Sequence, residues 1–135
     1  MISACQLGTV LALSSRLSKS LVPASKIATL LDWKKLSGKC VIALDISRER
    51  VGLALGAHPS RNLPICSLPP IQLFTKRSFG DELRVPREEV AAELDDLVDN
   101  LDVCGFIVGW PLQPEGRPGK PCGLVLHILE NILLR

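Results

Sequence analysis

The sequence predicts one α/β domain, built as a mixed sheet with flanking helices. Two short apolar runs, Cys40–Ile46 and Arg50–Ala57, are separated by three polar residues and indicate a β-hairpin. Helical periodicity begins after Pro86, and a further apolar run, Val103–Gly109, comes directly after that helix. A hairpin joined through a helical crossover to another strand implies a mixed sheet with helical cover.

The first strand and the helix are the clearest elements. Cys40–Ile46 is almost continuously apolar, which is typical of a strand buried on both faces. In the helix, Pro86 suits a first-turn position, and Glu88 and Glu89 lie where the helix dipole favours negative charge. The apolar stripe of the helix consists of Val90, Leu94, Leu97, Val98 and Leu101, and its solvated face carries Glu93, Asp95, Asp96 and Asp99.

Turn-forming residues place the other elements. His58–Pro70 contains four prolines and is predicted to be a loop, followed by a short third strand at Ile71–Thr75. Lys76–Val85 is a polar connection. A Gly- and Pro-rich loop is predicted from Gly109 to Gly123, and Leu124–Leu134 has the length of a final helix.

Composition favours a packed body without a membrane span. Of the 135 residues, 47% are hydrophobic, enough for the core of one domain. No apolar run reaches the roughly 18 residues that a membrane span needs, so we expect no membrane partner. The five cysteines form no CxxC pair and lie far from the two histidines, so we expect no zinc site and a reducing interior.

Charge divides the chain into a leader, residues 1–39, and a domain, residues 40–135. Residues 1–40 carry six basic side chains and one acid, whereas the remaining residues carry ten basic and thirteen acidic side chains. The leader is also rich in serine, which suits an organellar transit peptide for the chloroplast or the mitochondrion. A disordered N-terminal extension of a cytoplasmic protein is the alternative. Net charge gives the domain no support for nucleic-acid binding.

Asp45 is the central candidate for chemistry. It stands near the carboxyl end of a buried strand and beside a turn, a position from which a carboxylate can bind a divalent cation such as Mg²⁺. Phosphodiester hydrolysis needs several such carboxylates, which hold two metal ions. From its position alone, Asp45 is explained better as a turn-capping residue, because Asp often accepts backbone hydrogen bonds just after a strand.

A second candidate region follows Val103–Gly109. Ligands of α/β sheets bind beyond the carboxyl ends of strands, so Glu115 in the following loop could supply a second carboxylate or a substrate contact. An exposed loop acid without function is the alternative. Trp110 could stack on a base, although a Trp beside Pro111 more often serves packing.

Two segments resemble the YqgF/RuvX family. VIALDISRERVGLAL, residues 41–55, is similar to the opening hairpin of these proteins, and FIVGWPLQPEGRPGKPC, residues 106–122, is similar to their later strand and loop. On this resemblance Asp45 matches the first metal-binding aspartate and Glu115 matches the loop acid. The matching structural positions are Gly52, Gly109, Pro111, Leu112 and Gly116.

The resemblance implies an RNase H-like fold and a Mg²⁺- or Mn²⁺-dependent endonuclease. Family members are described as Holliday junction resolvases and as nucleases that mature the 5′ end of pre-16S ribosomal RNA, so the implied partner is structured RNA or DNA. Residues 40–135 would then form a partial RNase H-like domain, because the family continues with a further strand and helix that carry more acids. We therefore expect little or no cleavage by this chain.

The match also has departures and rivals. Ser47 replaces a family glycine, and Glu49 stands where the family has a basic residue, with Arg50 beside it. A non-catalytic nucleic-acid- or ribosome-binding module is one rival. An actin-like or sugar-kinase-like nucleotide binder is another, although such proteins need two domains of this kind and a phosphate loop.

Overall fold

A computed structural model describes residues 7–14, 18–23, 39–76, 80–111, 114–115 and 119–132. Its strands and helices, in chain order, are β1 Leu7–Ser14, β2 Ser18–Pro23, β3 Cys40–Ile46, β4 Arg50–Ala57, β5 Cys66–Gln72, β6 Phe74–Lys76, β7 Glu82–Arg84, α1 Arg87–Leu101, β8 Val103–Gly109 and α2 Lys120–Ile132. A single 3₁₀ turn, Pro59–Arg61, lies between β4 and β5.

The principal sheet is mixed, as the sequence predicts. Its strand order is β2-β1-β8-β3-β4-β5, and β6 and β7 form a separate two-stranded ribbon. β3 and β8 are parallel, whereas the pairs β3–β4, β4–β5, β1–β8 and β1–β2 are antiparallel. The prediction of an α/β domain with a mixed sheet and flanking helices is therefore confirmed at this level.

The hairpin of β3 and β4 has the predicted bounds. Its register joins Asp45 to Gly52 and Ile42 to Leu55. Along β3 the side chains alternate: Cys40, Ile42, Leu44 and Ile46 are buried, whereas the residues between them are half-buried or exposed. This alternation gives the sheet two unlike faces, because successive side chains of a strand point to opposite sides.

One face of the sheet, which we call the core face, carries the hydrophobic core. Both helices contribute to a single buried cluster with it, through residues such as Val90 of α1 and Leu129 of α2. The side chains that the sheet contributes to that cluster are Ile42, Leu44, Ile46, Val51, Leu53, Ile71, Val103, Phe106 and Val108. Burial of these side chains is the main source of the stability of the fold.

The opposite face, which we call the Asp45 face, presents smaller groups. The register places Ala43 between Ala54 of β4 and Ile107 of β8, and it places Asp45 opposite Gly52. Apart from the exposed Asp45, these residues are half-buried, and none of them belongs to the core cluster. Both helices that the structure describes pack on the core face.

Helix α1 confirms the predicted amphipathic pattern. Val90 and Leu94 are buried, and the four predicted solvated acids are exposed. The helix ends at Leu101, and the next residue, Asp102, caps it in the left-handed conformation with φ of 57°. Asp102 also pairs with Lys39 in an ion pair, which ties the end of the helix to the start of β3.

The predicted loop His58–Pro70 is wrong over its second half. Residues 66–70 belong to β5, where Leu68 pairs with Leu53 and Ile71 pairs with Val51. The ladder shifts register between these two pairs, so that Pro69 and Pro70 lie where the pairing is interrupted. Because β5 is an edge strand, two missing N–H donors are tolerated there.

The next two segments also differ from the prediction. The strand expected at Ile71–Thr75 is divided: Ile71 and Gln72 end β5, whereas Phe74 begins β6. The connection predicted at Lys76–Val85 contains β7, which pairs with β6. Leu73 at the break is buried, and its N–H donates to the carbonyl oxygen of Glu49 at 2.8 Å, so tertiary contacts determine where the chain turns.

The final helix begins earlier than predicted, at Lys120 rather than Leu124. Pro121 is compatible with the first turn of a helix because its missing N–H has no helical partner there. Cys122 is buried and donates from Sγ to the carbonyl oxygen of Pro111 at 3.0 Å, which fixes this first turn against the end of β8. Leu133 and Leu134 of the predicted helix lie outside the described residues.

Within the leader, the structure describes the backbone of β1 and β2. They form an antiparallel pair, and β1 also pairs with β8, so that β2 is an edge strand of the principal sheet. The transit-peptide prediction stays a prediction. Of the helices in the described ranges, neither is long and apolar enough to cross a membrane.

Candidate functional site

The principal sheet places the two candidate segments side by side, at the carboxyl ends of two central strands. β3 and β8 are parallel neighbours, so their carboxyl ends lie side by side, and Leu44 pairs with Val108 one residue before Asp45 and Gly109. Open α/β sheets bind ligands in the crevice beyond the carboxyl ends of their strands. The topology therefore supports the sequence argument that joins Asp45 to the loop after β8.

The carboxylate of Asp45 lies on the face of the sheet opposite the core face. The side chain is exposed, and its strand partner is Gly52. A Cβ added at Gly52 would lie 3.4 Å from the Asp45 Cβ and 4.0 Å from its Oδ2. Glycine at position 52 therefore leaves space beside the carboxylate, which a branched side chain would fill.

Ser47, rather than Asp45, closes the hairpin turn. Ser47 Oγ donates to the carbonyl oxygen of Arg50 at 2.9 Å, and Ser47 Oγ accepts from the Arg50 N–H at 3.3 Å. The backbone N–H of Ser47 donates to the same carbonyl oxygen at 3.0 Å. Ser47 thus makes turn hydrogen bonds of the kind that the turn-capping explanation assigned to Asp45.

The end of β8 lies in ordinary van der Waals contact with β3. A Cβ added at Gly109 would lie 3.5 Å from the carbonyl oxygen of Leu44. Trp110 and Pro111 are half-buried, and Trp110 packs against the core cluster. The packing alternative for Trp110 is thus supported over base stacking.

Glu115 lies in a short turn with Pro114, beyond the end of β8, and is exposed. Its position after a strand end that neighbours Asp45 is the one that the sequence predicts. Leu112 and Gly116, the other loop positions of the family resemblance, lie outside the described residues.

The electrostatic surroundings of the site are mixed. Arg48, Glu49 and Arg50, in the turn after Asp45, are all exposed. Among the described residues, no three or more His, Cys, Asp and Glu side chains form a group that could hold a metal ion. The carboxylate of Asp45 is thus exposed at the carboxyl end of β3. The charged residues that follow it are two cations, Arg48 and Arg50, and one anion, Glu49.

A polar pocket that sequence reasoning missed lies between the helices. It has a volume of about 230 Å³ and is lined by Arg87, Glu88, Glu130 and Asn131. Arg87 donates to Asn131, and Asn131 donates to the carbonyl oxygen of His127 at 2.6 Å. No sequence motif indicates this pocket, because it joins the first turn of α1 to the last turns of α2.

Two buried thiols lie at the opposite end of β3. Cys104 Sγ donates to the carbonyl oxygen of Cys40 at 3.3 Å, and the Arg61 guanidinium donates to Cys40 Sγ at 3.2 Å. Burial raises the pKa of the Cys104 thiol above its ordinary value. Both residues are buried small side chains, as the sequence predicts.

Comparisons with protein-family models, curated proteins and solved structures return no match to this chain. Within the described residues, the fold and the site define an α/β protein with a mixed sheet and an exposed aspartate at the carboxyl end of a central strand.

Proposed function

We propose that this chain is a YqgF/RuvX-like member of the metal-dependent endonucleases with an RNase H-like fold, acting on structured RNA or DNA. The observation that carries the proposal is the position of Asp45. Its exposed carboxylate lies at the carboxyl end of a central strand, beside the end of the parallel strand that leads to Glu115. This is the arrangement that the two motifs of the family resemblance require.

Asp45 is the residue that would bind Mg²⁺ or Mn²⁺. Carboxylate oxygens are the ligands that these hard cations prefer, and Gly52 opposite Asp45 adds no side chain beside Oδ2. Glu115 would approach from the loop after β8. Mg²⁺ keeps several water molecules when only one or two carboxylates bind it, so we expect weak binding.

Cleavage would require more than this site provides among the described residues. Two-metal hydrolysis of a phosphodiester needs carboxylates that hold both ions about 4 Å apart. Asp45 and Glu115 are two acids at most. We therefore propose that the chain binds a cation and nucleic acid while cleaving slowly or not at all.

A non-catalytic nucleic-acid- or ribosome-binding module is the second candidate. It is favoured by Arg48 and Arg50, two exposed cations in the turn directly beside Asp45. Arginine side chains bind phosphate through paired N–H donors. In this alternative the turn contacts the phosphate backbone, and Asp45 has no metal to hold.

The test compares wild type with Asp45→Asn in two assays. The first measures binding of Mn²⁺ by paramagnetic broadening of the protein NMR signals, and the second measures binding and cleavage of a four-way DNA junction and a structured RNA. Asp96→Asn is the matched control, because Asp96 is an exposed acid on the outer face of α1. We expect broadening near Asp45 in wild type and in the control, and its loss in Asp45→Asn.

The outcomes separate the two candidates. Salt-dependent nucleic-acid binding that survives Asp45→Asn, without Mn²⁺ broadening at this edge, supports the binding module. Strong Mg²⁺-dependent cleavage that Asp45→Asn abolishes supports a nuclease and contradicts our expectation of low activity. Absence of both metal and nucleic-acid binding overturns both candidates.

A further inference from the structure

Two buried thiols, Cys40 and Cys104, meet at the amino ends of β3 and β8. Both cysteines are free, and their side chains are 1% and 6% exposed. The pairing of the two parallel strands shifts register here: Cys40 pairs with Val103, but Val41 pairs with Gly105. Cys104 is therefore an extra residue in β8, as in a β-bulge, which redirects a side chain. Its Sγ points towards β3 and donates to the carbonyl oxygen of Cys40 at 3.3 Å.

The backbone holds these two cysteines at the spacing that a disulfide requires. Neighbouring strands of a sheet are about 4.8 Å apart, and successive residues of a strand are about 3.3 Å apart. Cys104 is one residue beyond the strand partner of Cys40, so their Cα atoms are separated by about 5–6 Å. Disulfides join cysteines whose Cα atoms are about 4.4–6.8 Å apart. Rotation of the two side chains is therefore the main movement that a bond between their sulfurs requires.

The surroundings of the two sulfurs differ, and the difference gives the thiols an order of reaction. The Arg61 guanidinium donates to Cys40 Sγ at 3.2 Å, and Arg61 is an exposed residue of the 3₁₀ turn after β4. Movement of this side chain would uncover the Cys40 sulfur, and its positive charge lies where a thiolate would form. Burial, in contrast, raises the pKa of the Cys104 thiol above its ordinary value. Cys40 is therefore the thiol that reacts first, and Cys104 is the one that reacts second.

We propose that Cys40 and Cys104 are a redox-sensitive pair, which a hydroperoxide such as hydrogen peroxide converts into a disulfide. The Cys40 thiolate attacks one oxygen of the peroxide and the O–O bond breaks, which gives a sulfenic acid and hydroxide. The hydroxide takes up the proton that the Cys40 thiol released. The Cys104 sulfur then attacks the Cys40 sulfur, so that an S–S bond forms, the S–O bond breaks, and water leaves with the Cys104 proton. The two thiols lose two electrons, and the peroxide gains them.

The bond would fasten the amino end of β3 to the amino end of β8. Cys40 and Cys104 are 64 positions apart in the chain, and β4 to β7 and α1 lie between them. Closing so long a loop reduces the entropy of the unfolded chain, so the oxidised protein is the more stable form. Thiols reverse the reaction by exchange. The pair lies at the end of β3 opposite Asp45, and the proposal is independent of the proposed function.

The test oxidises the full chain with hydrogen peroxide and maps its disulfides by mass spectrometry. Remaining thiols are blocked with N-ethylmaleimide, and monomers are isolated without reducing agent. Digestion with trypsin and a glutamate-specific protease leaves Cys40 in peptide 40–48, Cys104 in peptide 94–115 and each other cysteine in a separate peptide. We expect peptides 40–48 and 94–115 to be joined, and dithiothreitol to separate them. The oxidised protein should melt roughly 10 °C above the reduced protein.

Two variants test the order of reaction with dimedone, a reagent that traps sulfenic acids. In Cys104→Ser, the sulfenic acid of Cys40 lacks its partner and should be trapped. In Cys40→Ser, trapping at Cys104 should be about tenfold slower or more, because burial protects that sulfur. Cys66→Ser removes an exposed cysteine outside the pair and is the matched control, which should form the disulfide at the wild-type rate. Circular dichroism checks that each variant is folded, and the mapping in wild type needs no substitution.

Several results would overturn the proposal. One is a folded wild-type chain in which Cys40 and Cys104 stay reduced while the exposed Cys66 is oxidised. Another is a product that joins either member of the pair to a different cysteine or to a second copy of the chain. Trapping at Cys104 as fast as at Cys40 contradicts the order of reaction. A disulfide that leaves the melting temperature unchanged contradicts the stabilisation expected from joining β3 to β8.

Discussion

The two faces of the principal sheet differ in side-chain size and in burial. On the core face, Phe106 is 1% exposed and Val108 is fully buried. On the Asp45 face, the same strands present Ala43 and Ile107 half-buried, with Asp45 exposed at the edge. Because successive residues of a strand point to opposite sides, each strand contributes to both faces at once.

This difference separates the side chains that stabilise the fold from the proposed site, although both lie on the same strands. Large branched and aromatic side chains release most apolar surface from water when they pack, and they lie on the core face. Small groups on the other face leave the carboxylate of Asp45 accessible beside Gly52. Substitutions on the core face should therefore change stability, whereas substitutions on the Asp45 face should change binding.

The largest expected effect comes from the centre of the core face. Phe106→Ala removes a ring that is 1% exposed and leaves a cavity, so we expect the free energy of unfolding to fall by about 3–5 kcal/mol. Ile107→Ala, at the next residue on the Asp45 face, should cost about 1–2 kcal/mol because its side chain is only half-buried. Urea unfolding followed by circular dichroism measures both.

Equal losses for these two substitutions would contradict the comparison between the faces. A loss for Ile107→Ala as large as that for Phe106→Ala would mean that the Asp45 face is as fully packed as the core.

A smaller effect is expected at the turn where the hairpin reverses. Ser47→Ala removes the hydroxyl that donates to the Arg50 carbonyl oxygen, while the backbone bond of Ser47 to that oxygen remains. We expect a loss of about 0.5–1 kcal/mol in urea unfolding, the usual net value of one hydrogen bond. Ser67→Ala, at an exposed position of the edge strand β5, is the control and should change stability less.

The smallest expected effect is a change of stability with pH, caused by the buried thiol of Cys104 on β8. Burial raises the pKa of Cys104, so at rising pH the thiol ionises first in the unfolded chain, and the unfolded state then binds fewer protons. The stabilisation is complete below the ordinary thiol pKa of about 8.5 and is lost as pH rises towards the raised value. Melting temperatures of wild type should therefore fall between pH 8 and pH 10.

Cys104→Ser should flatten this alkaline fall, because a hydroxyl stays neutral in that range and can still donate to the Cys40 carbonyl oxygen. Cys66→Ser is the matched control, since Cys66 is exposed, and it should retain the wild-type slope. A Cys104→Ser variant with an unchanged slope would assign the alkaline effect to another group.

The sequence predicted the elements whose signal is local. The hairpin of β3 and β4, strand β8 and helix α1 combine apolar periodicity with a turn or a favourable first turn, and the structure has them at or within a residue of the predicted bounds. Residues 66–70 of β5 were predicted as part of a loop because Pro69 and Pro70 interrupt them. Its pairing with β4 at Leu53 and Val51 supplies the ladder bonds that overcome this local preference.

The sequence by itself determined that a carboxylate stands near the end of a buried strand, that a second strand with a loop acid follows one helix later, and that the domain is α/β. Only the tertiary structure decided that the two strands are parallel neighbours, that Asp45 faces away from the two described helices, and that Ser47 makes the hydrogen bonds that close the turn. The physical reason is that strand neighbours and sheet faces depend on contacts between residues distant in sequence. The hydrogen bonds of a turn depend on its local geometry. Residue order specifies neither directly.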